Sequence, residues 1–269
     1  KKQSDFIRFM ILTGLGGLLI LLLMFGLFFS MMTKKDEPDQ KNQPSLEEDI
    51  PVENKEAGEM EEAIGIIVKE VGENSVHIFN IETEEEVVLQ IQNGTEMKDI
   101  YGAAMSLKEF KVGDMIQTKY DKGSKIPKFF RISGEVWEQK GIKNAKLNLE
   151  AKTIEIGNNI YTYTDQLISM YRGQPVSLDK IDPIDELLLR GYQNKVWFIN
   201  VQGSHGYITV VSSDQEEGTV EIDNNIPRAI KEVKNIPLGE GPHKIVIKKD
   251  GYEPIVKNIQ VEPMQNLEI

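Results

Sequence analysis

The chain of 269 residues carries 43 acidic against 31 basic side chains, a formal charge of −12, and no cysteine. Without a thiol there is no disulfide, no thiolate metal site and no cysteine nucleophile. The charge argues against nucleic acid as a partner, because phosphate binding needs clustered Lys and Arg to release counterions.

After a short N-terminal tail, residues 1–8, no charged side chain occurs over residues 9–33, and 14 of those positions are Leu, Ile or Phe. At roughly 0.3–0.6 kcal/mol each near a bilayer centre, they favour insertion by about 4–8 kcal/mol. The 25 residues exceed the roughly 20 needed to cross a hydrocarbon core, and the following "FFSMMTKK" lacks a small-residue cleavage pattern. The segment therefore reads as an uncleaved signal-anchor, a single transmembrane helix with membrane lipid as its first partner. Lys1, Lys2 and Arg8 balance Lys34, Lys35 and Lys41, so the basic residues leave the orientation open. The short tail and the long acidic remainder favour an extracytoplasmic location for everything that follows. Thr13 with Gly17, and Gly26 with Ser30, set small residues four apart, a spacing that lets two helices approach closely and form a homodimer.

Residues 34–62 hold eleven acids, four lysines and prolines at 38, 44 and 51. Such a composition cannot bury enough apolar surface to offset its ordering entropy, and it predicts a disordered, self-repelling stalk.

Two β-rich blocks are expected next, over residues 63–135 and 136–202. Runs such as "AIGIIVKEV", "SVHIFNI", "EVVLQI" and "KFFRIS" are separated by turn signals including Gly72-Glu73-Asn74 and Asn93-Gly94. Their spacing suits a small barrel. "KLNLEA", "TIEIG", "NIYTYT", "ELLLRGY" and "KVWFINV" form the second block. At a constant offset of 71 residues Gly102 aligns with Gly173, Ser106-Leu107 with Ser177-Leu178, Phe110 with Ile181 and Asp114 with Asp185. That period suits a duplicated small domain rather than a solenoid.

No catalytic, cofactor or metal constellation emerges. His77, His205 and His243 lack the paired spacing of metal ligands. Ser204 beside His205 invites a nucleophile-base pair, but neighbours on a strand point to opposite faces. "SLDK" at Ser177 to Lys180 fits S-x-x-K without its companion motifs. The acids Glu82, Glu84, Glu85 and Glu86, and Asp182, Asp185 and Glu186, lack the glycine-shaped loop of a calcium site. Trp137 and Trp197 lie at corresponding ends of the two β-blocks, where core packing is expected over an exposed glycan platform.

From residue 203 the pattern changes to short alternating strands, "GYITVVS", "GTVEID", "HKIVIKK" and "PIVKNIQVE", each with one apolar face, and two such faces make a sandwich. Asp250-Gly251 predicts a tight hairpin turn, with Lys244 and Lys248 on the solvent side. The landmarks Gly206, Gly218, Gly241, His243, Gly251 and Tyr252, in particular Pro237-Leu238-Gly239-Glu240-Gly241 before His243 and then Asp250-Gly251-Tyr252, resemble the PEGA domain. Where that family carries Pro-Glu-Gly-Ala this chain has "QEEGT", which keeps only Glu217 and Gly218. The resemblance implies a β-sandwich over residues 203–269, noncatalytic, used for interaction or spacing on envelope proteins, and it brings no active-site residues.

The sequence thus reads as mainly β, with one N-terminal transmembrane helix, two duplicated barrel-like domains and a C-terminal sandwich. The expected protein is a non-enzymatic, single-pass scaffold, spacer or adhesion module of the cell membrane, facing a protein or cell-wall partner. The alternative is an accessory subunit of a secretion, pilus or sporulation complex. A solute-binding protein or an enzyme ranks below both.

Overall fold

The computed structural model describes residues 58–212 and 217–269. Residues 1–57, with the expected tail, the expected membrane span carrying Thr13, Gly17, Gly26 and Ser30, and most of the expected stalk, lie outside the described residues. Among the described residues no helix is long and apolar enough to cross a membrane. The regular secondary structure of the described residues is β-strand apart from three short 3-10 turns.

The first sheet holds six strands: β1 (Met60–Ile67), β2 (Ser75–Asn80), β3 (Glu85–Gln90), β4 (Glu96–Lys98), β5 (Met115–Asp121) and β6 (Pro127–Ile132). They lie in the order β3-β2-β1-β5-β6-β4, an open path whose edges are β3 and β4. β1 starts at Met60, inside the stretch expected to be stalk. Met60, Glu61 and Glu62 pair with Asp121, Tyr120 and Lys119. Their acidity is offset across the ladder, where Lys119 meets Glu62 at 2.7 Å and Lys122 meets Glu59 at 2.6 Å. Composition had counted those acids without their partners.

The second sheet holds eight strands: β7 (Trp137–Ile142), β8 (Lys146–Asn148), β9 (Thr153–Ile156), β10 (Asn159–Thr162), β11 (Ile168–Tyr171), β12 (Gln174–Pro175), β13 (Glu186–Tyr192) and β14 (Lys195–Gly203). β14 is central, with β13 antiparallel to it and β11 and β10 parallel. One connectivity occurs twice. β1-β5-β6 with β4 parallel to β6 matches β7-β13-β14 with β11 parallel to β14. A 3-10 turn precedes the long strand in each, at Leu107–Glu109 and Leu178–Lys180.

Alternation along β1 explains how the two sheets pack. Ala63 and Ile67 join the core of the first sheet, while Ile64 and Ile66 turn the other way. There they meet Phe79, Met115, Leu188, Trp197 and Phe198 in a cluster drawn from both sheets. A strand buried on both faces reads as an unbroken apolar run, as "AIGII" does. Gly113, at φ +86°, lies so close to Phe198 that a Cβ would come within 2.2 Å of its ring. Only glycine permits both that backbone conformation and that approach.

The last strands are β15 (His205–Thr209), β16 (Thr219–Ile222), β17 (Arg228–Ala229), β18 (Ile236–Gly239), β19 (Gly241–Lys248), β20 (Ile255–Val261) and β21 (Asn266–Glu268). They form two sheets, β18-β15-β21 and β17-β16-β19-β20. Ile208, Val210, Val220, Ile230, Val233, Ile245 and Val261 from the two make one core. Gly206 lies under the C-terminal segment, and a Cβ there would meet Glu262 O at 2.5 Å. The tight turn expected at Asp250-Gly251 is wider than predicted. β19 ends at Lys248 and β20 begins at Ile255, so residues 249–254 form the connection. Gly251 has the predicted positive φ, and Tyr252 N–H closes a turn on Lys249 O at 3.1 Å. β14 also runs on to Gly203, one residue past the boundary drawn from the sequence.

Candidate functional site

Two places on this scaffold gather polar side chains from separate modules. At the seam of the first two sheets, Lys111 N–H donates to Asp114 Oδ2 at 2.9 Å, while Asp114 N–H donates to Lys111 O at 3.0 Å. This closes the turn into β5. The other oxygen, Oδ1, accepts from Arg190 Nη1 at 2.9 Å. Arg190 also donates to Gly113 O at 3.0 Å and, through Nε, to Glu138 at 2.6 Å. Burial raises the Asp114 carboxyl above its ordinary range, against the lowering effect of the Lys111 N–H and the Arg190 charge. For Glu138 burial is outweighed by its bonds to Lys140 and Arg190, and its carboxyl is lowered.

Beside these groups a groove of about 700 Å3 opens along the seam. Phe110, Val112, Met170, Leu188 and Phe198 supply its apolar lining, and Lys108, Lys111, Arg190, Glu70 and Asp114 its charged groups.

The second place joins the second sheet to the C-terminal sandwich. Asp182 N–H donates to Asp185 Oδ2 at 2.9 Å and Asp185 N–H to Asp182 O at 2.9 Å, the same turn as at Lys111 and Asp114. The free oxygen again reaches forward, to His205 Nδ1 at 2.7 Å. Both side chains are buried, at 0 % and 1 % exposure. Burial raises the Asp185 carboxyl, opposed by the Asp182 N–H and His205. Nearby Glu240, between β18 and β19, accepts from Tyr171 Oη at 2.6 Å and Arg172 Nη2 at 2.8 Å, and from Ser204 N–H at 3.2 Å. Glu240 N–H returns a bond to Ser204 O at 2.9 Å. Burial, then the Glu240 carboxylate, push the Tyr171 hydroxyl up to about 12.

The residues singled out from the sequence are not brought together. His77 lies on β2, His205 binds Asp185, and His243 sits on β19. There His243 Nε2 donates to Gly239 O at 2.7 Å, and Nδ1 faces Asp223 Oδ2 at 2.6 Å. No group of three or more His, Cys, Asp or Glu among the described residues could hold a metal. Ser204 Oγ is buried without a hydrogen-bond partner, so it forms no pair with His205. Ser177 Oγ binds Asp179, and Lys180 pairs with the same carboxylate at 3.7 Å, so both side chains are engaged by Asp179. Glu82 and Glu84 lie in the β2–β3 turn, and Glu86 pairs with Lys69 at 3.6 Å. Asp182, Asp185 and Glu186 serve a turn, a histidine and Lys143 respectively. Trp197 is buried against Phe79, with ring centroids 5.8 Å apart, and Trp137 packs on Tyr161 at 5.0 Å. Tyr252 is exposed beneath the Lys249 ammonium. Gly218 and Gly241 both adopt φ +124° at the starts of β16 and β19.

Arg190 and Glu240 escaped sequence reasoning because each acts on another module, beyond the reach of any local pattern. The alignment of Asp114 with Asp185 was the available signal. It marked the turns without revealing what their second oxygens hold.

No curated protein matches the chain. Residues 207–269 match the family model described as the PEGA domain. That span opens at Tyr207 on β15, takes in both sheets of the sandwich and contains His243, Gly251 and Tyr252 in the order the resemblance required. The C-terminal sandwich of this chain, residues 207–269, is a PEGA domain.

Proposed function

We propose that the chain is a non-enzymatic scaffold of the cell envelope. It is anchored by residues 9–33, with membrane lipid as partner, and spaced by the acidic stalk. Its β-modules face a protein or cell-wall partner outside the cytoplasm. The two first sheets derive from one duplicated unit, open at its edges rather than closed into the barrel that the strand spacing suggests. In support, the same connectivity occurs in both, and the same 3-10 turn and the same aspartate-closed turn recur 71 residues apart.

The observation that carries the reading is how the modules are joined. Asp114 to Arg190 links the first two sheets, and Asp185 to His205 together with Glu240 to Tyr171 and Arg172 links the second to the C-terminal sandwich. Tethers of this kind hold binding surfaces in fixed mutual positions, which a scaffold needs. An accessory role in a secretion, pilus or sporulation complex would use the same geometry.

Protease added to intact cells tests the topology: digestion of the β-modules is expected, and their protection in unbroken cells rules the envelope reading out. Crosslinking in cells followed by mass spectrometry then separates a cell-wall contact from a protein partner. Replacing Gly17 and Gly26 by Leu is expected to weaken self-association in membranes. Unchanged association removes the homodimer from the proposal.

A further inference from the structure

The groove along the seam combines an apolar lining with positive charge, in a chain whose net charge is −12. Its charged lining comprises three cations, Lys108, Lys111 and Arg190, against two acids, Glu70 and Asp114. Arg190 is already matched by Asp114 and Glu138. Lys108 and Lys111 differ: both are exposed and neither forms an ion pair among the described residues, and although Lys111 acts on Asp114 and the exposed Glu70 is likewise outside any ion pair, the lining keeps one cation in excess. They stand three residues apart on either side of Phe110, whose ring packs inward against Phe130 with centroids 4.7 Å apart. Two exposed ammonium groups outside any ion pair therefore line an apolar trough that both sheets help to build.

We infer that this groove is a docking site for an acidic, apolar-anchored peptide segment of a partner protein. The segment would place aliphatic or aromatic side chains against Met170, Leu188 and Phe198 and set its carboxylates toward Lys108 and Lys111. The volume lies within the about 300–1,000 Å3 typical of ligand sites. A neutral apolar ligand leaves the lysines unused, and a basic one is repelled by them. Complementarity of charge and apolar surface on one segment is what a peptide supplies. The inference rests on the scaffold reading, for which it names the chemistry of one partner.

The test is a random phage-displayed dodecapeptide library selected against the full chain, with the Lys108→Glu/Lys111→Glu double variant as counter-selection. Both lysines are exposed, so the variant is expected to fold, and its melting temperature is measured first. The selected peptides should join Asp or Glu to Leu, Phe, Met or Ile. A synthetic consensus peptide should bind the double variant at least tenfold more weakly, bind Lys108→Arg/Lys111→Arg within about threefold of the native chain, and weaken as salt rises. Its binding should slow amide exchange over residues 107–114 and 170–173. Neutral or basic consensus peptides, equal binding to the charge-reversed chain, protection confined to other segments, or no enrichment over the counter-selection each overturn the inference. Those results leave the scaffold reading standing, because its crosslinks in cells can form through the PEGA domain. Conversely, protease protection in intact cells removes the envelope location without altering the peptide's affinity.

Discussion

Asp114 and Asp185 perform the same two tasks 71 residues apart: one oxygen closes the turn that starts a strand, and the other reaches into the next module. Arg190 answers the first of them with a planar fork that also spans Glu138. Arg190→Ala is expected to cost about 2 kcal/mol, less than the roughly 3–5 of a fully buried pair, and to shift the thermal midpoint downward. Arg190→Lys should recover only part of this, because one ammonium cannot reproduce the fork. Asp223 offers a test against pH. Burial pushes its carboxyl up, but the bonds from His243 and the Lys244 N–H prevail, and the group is lowered. The unfolded chain therefore takes up this proton first as pH falls. The stabilisation is complete above about pH 4 and is lost as pH drops through the lowered value. Asp223→Asn is expected to cost about 1–2 kcal/mol near neutrality. That difference should shrink in melts recorded toward pH 2.

Among the elements, Glu240 illustrates how a short loop can fix a joint. Glu240→Ala removes the acceptor of Tyr171, Arg172 and the Ser204 N–H together. A loss of about 1–2 kcal/mol is expected, with faster limited proteolysis near residue 204. Gly113→Ala should be costlier, since it strains a positive φ and drives a methyl into the Phe198 ring. The strands themselves were legible because alternation exposes their faces: Ile245 is buried while Lys244 and Lys248 are exposed. The start of β1 at Met60 was not legible. Glu61 and Glu62 look like stalk until Tyr120 and Lys119 are set opposite them. The connection at 249–254 failed for a different reason, as Asp-Gly predicts local dihedrals and cannot say where a ladder stops. Of the site, only the turn aspartates were visible. Arg190, His205 and Glu240 meet their partners across modules, and a single sequence does not record that proximity.

For the whole molecule, the shared cluster of Ile64, Ile66, Phe79, Met115, Leu188, Trp197 and Phe198 means that neither of the first two sheets keeps a full core without the other. They are expected to unfold in one calorimetric transition. Trp197→Ala should lower that transition by about 3–5 kcal/mol as a unit rather than split it. The sandwich has its own core, centred on Ile208, Val220 and Ile245, so its transition should be insensitive to the same change. Two transitions that respond separately to Trp197→Ala would support this division. Equal shifts in both would contradict it.

β14 ends at Gly203 and β15 begins at His205, so a single residue separates the central strand of one sheet from the central strand of the next. Tension applied to the PEGA domain therefore enters the second sheet along its innermost strand. β14 is held by β13 on one side and by β11 and β10 on the other. To draw it out, these bonds must be sheared together, whereas an edge strand can be peeled one bond at a time. Withdrawing β14 by force on the sandwich is thus expected to take more than peeling an edge strand from the same sheet.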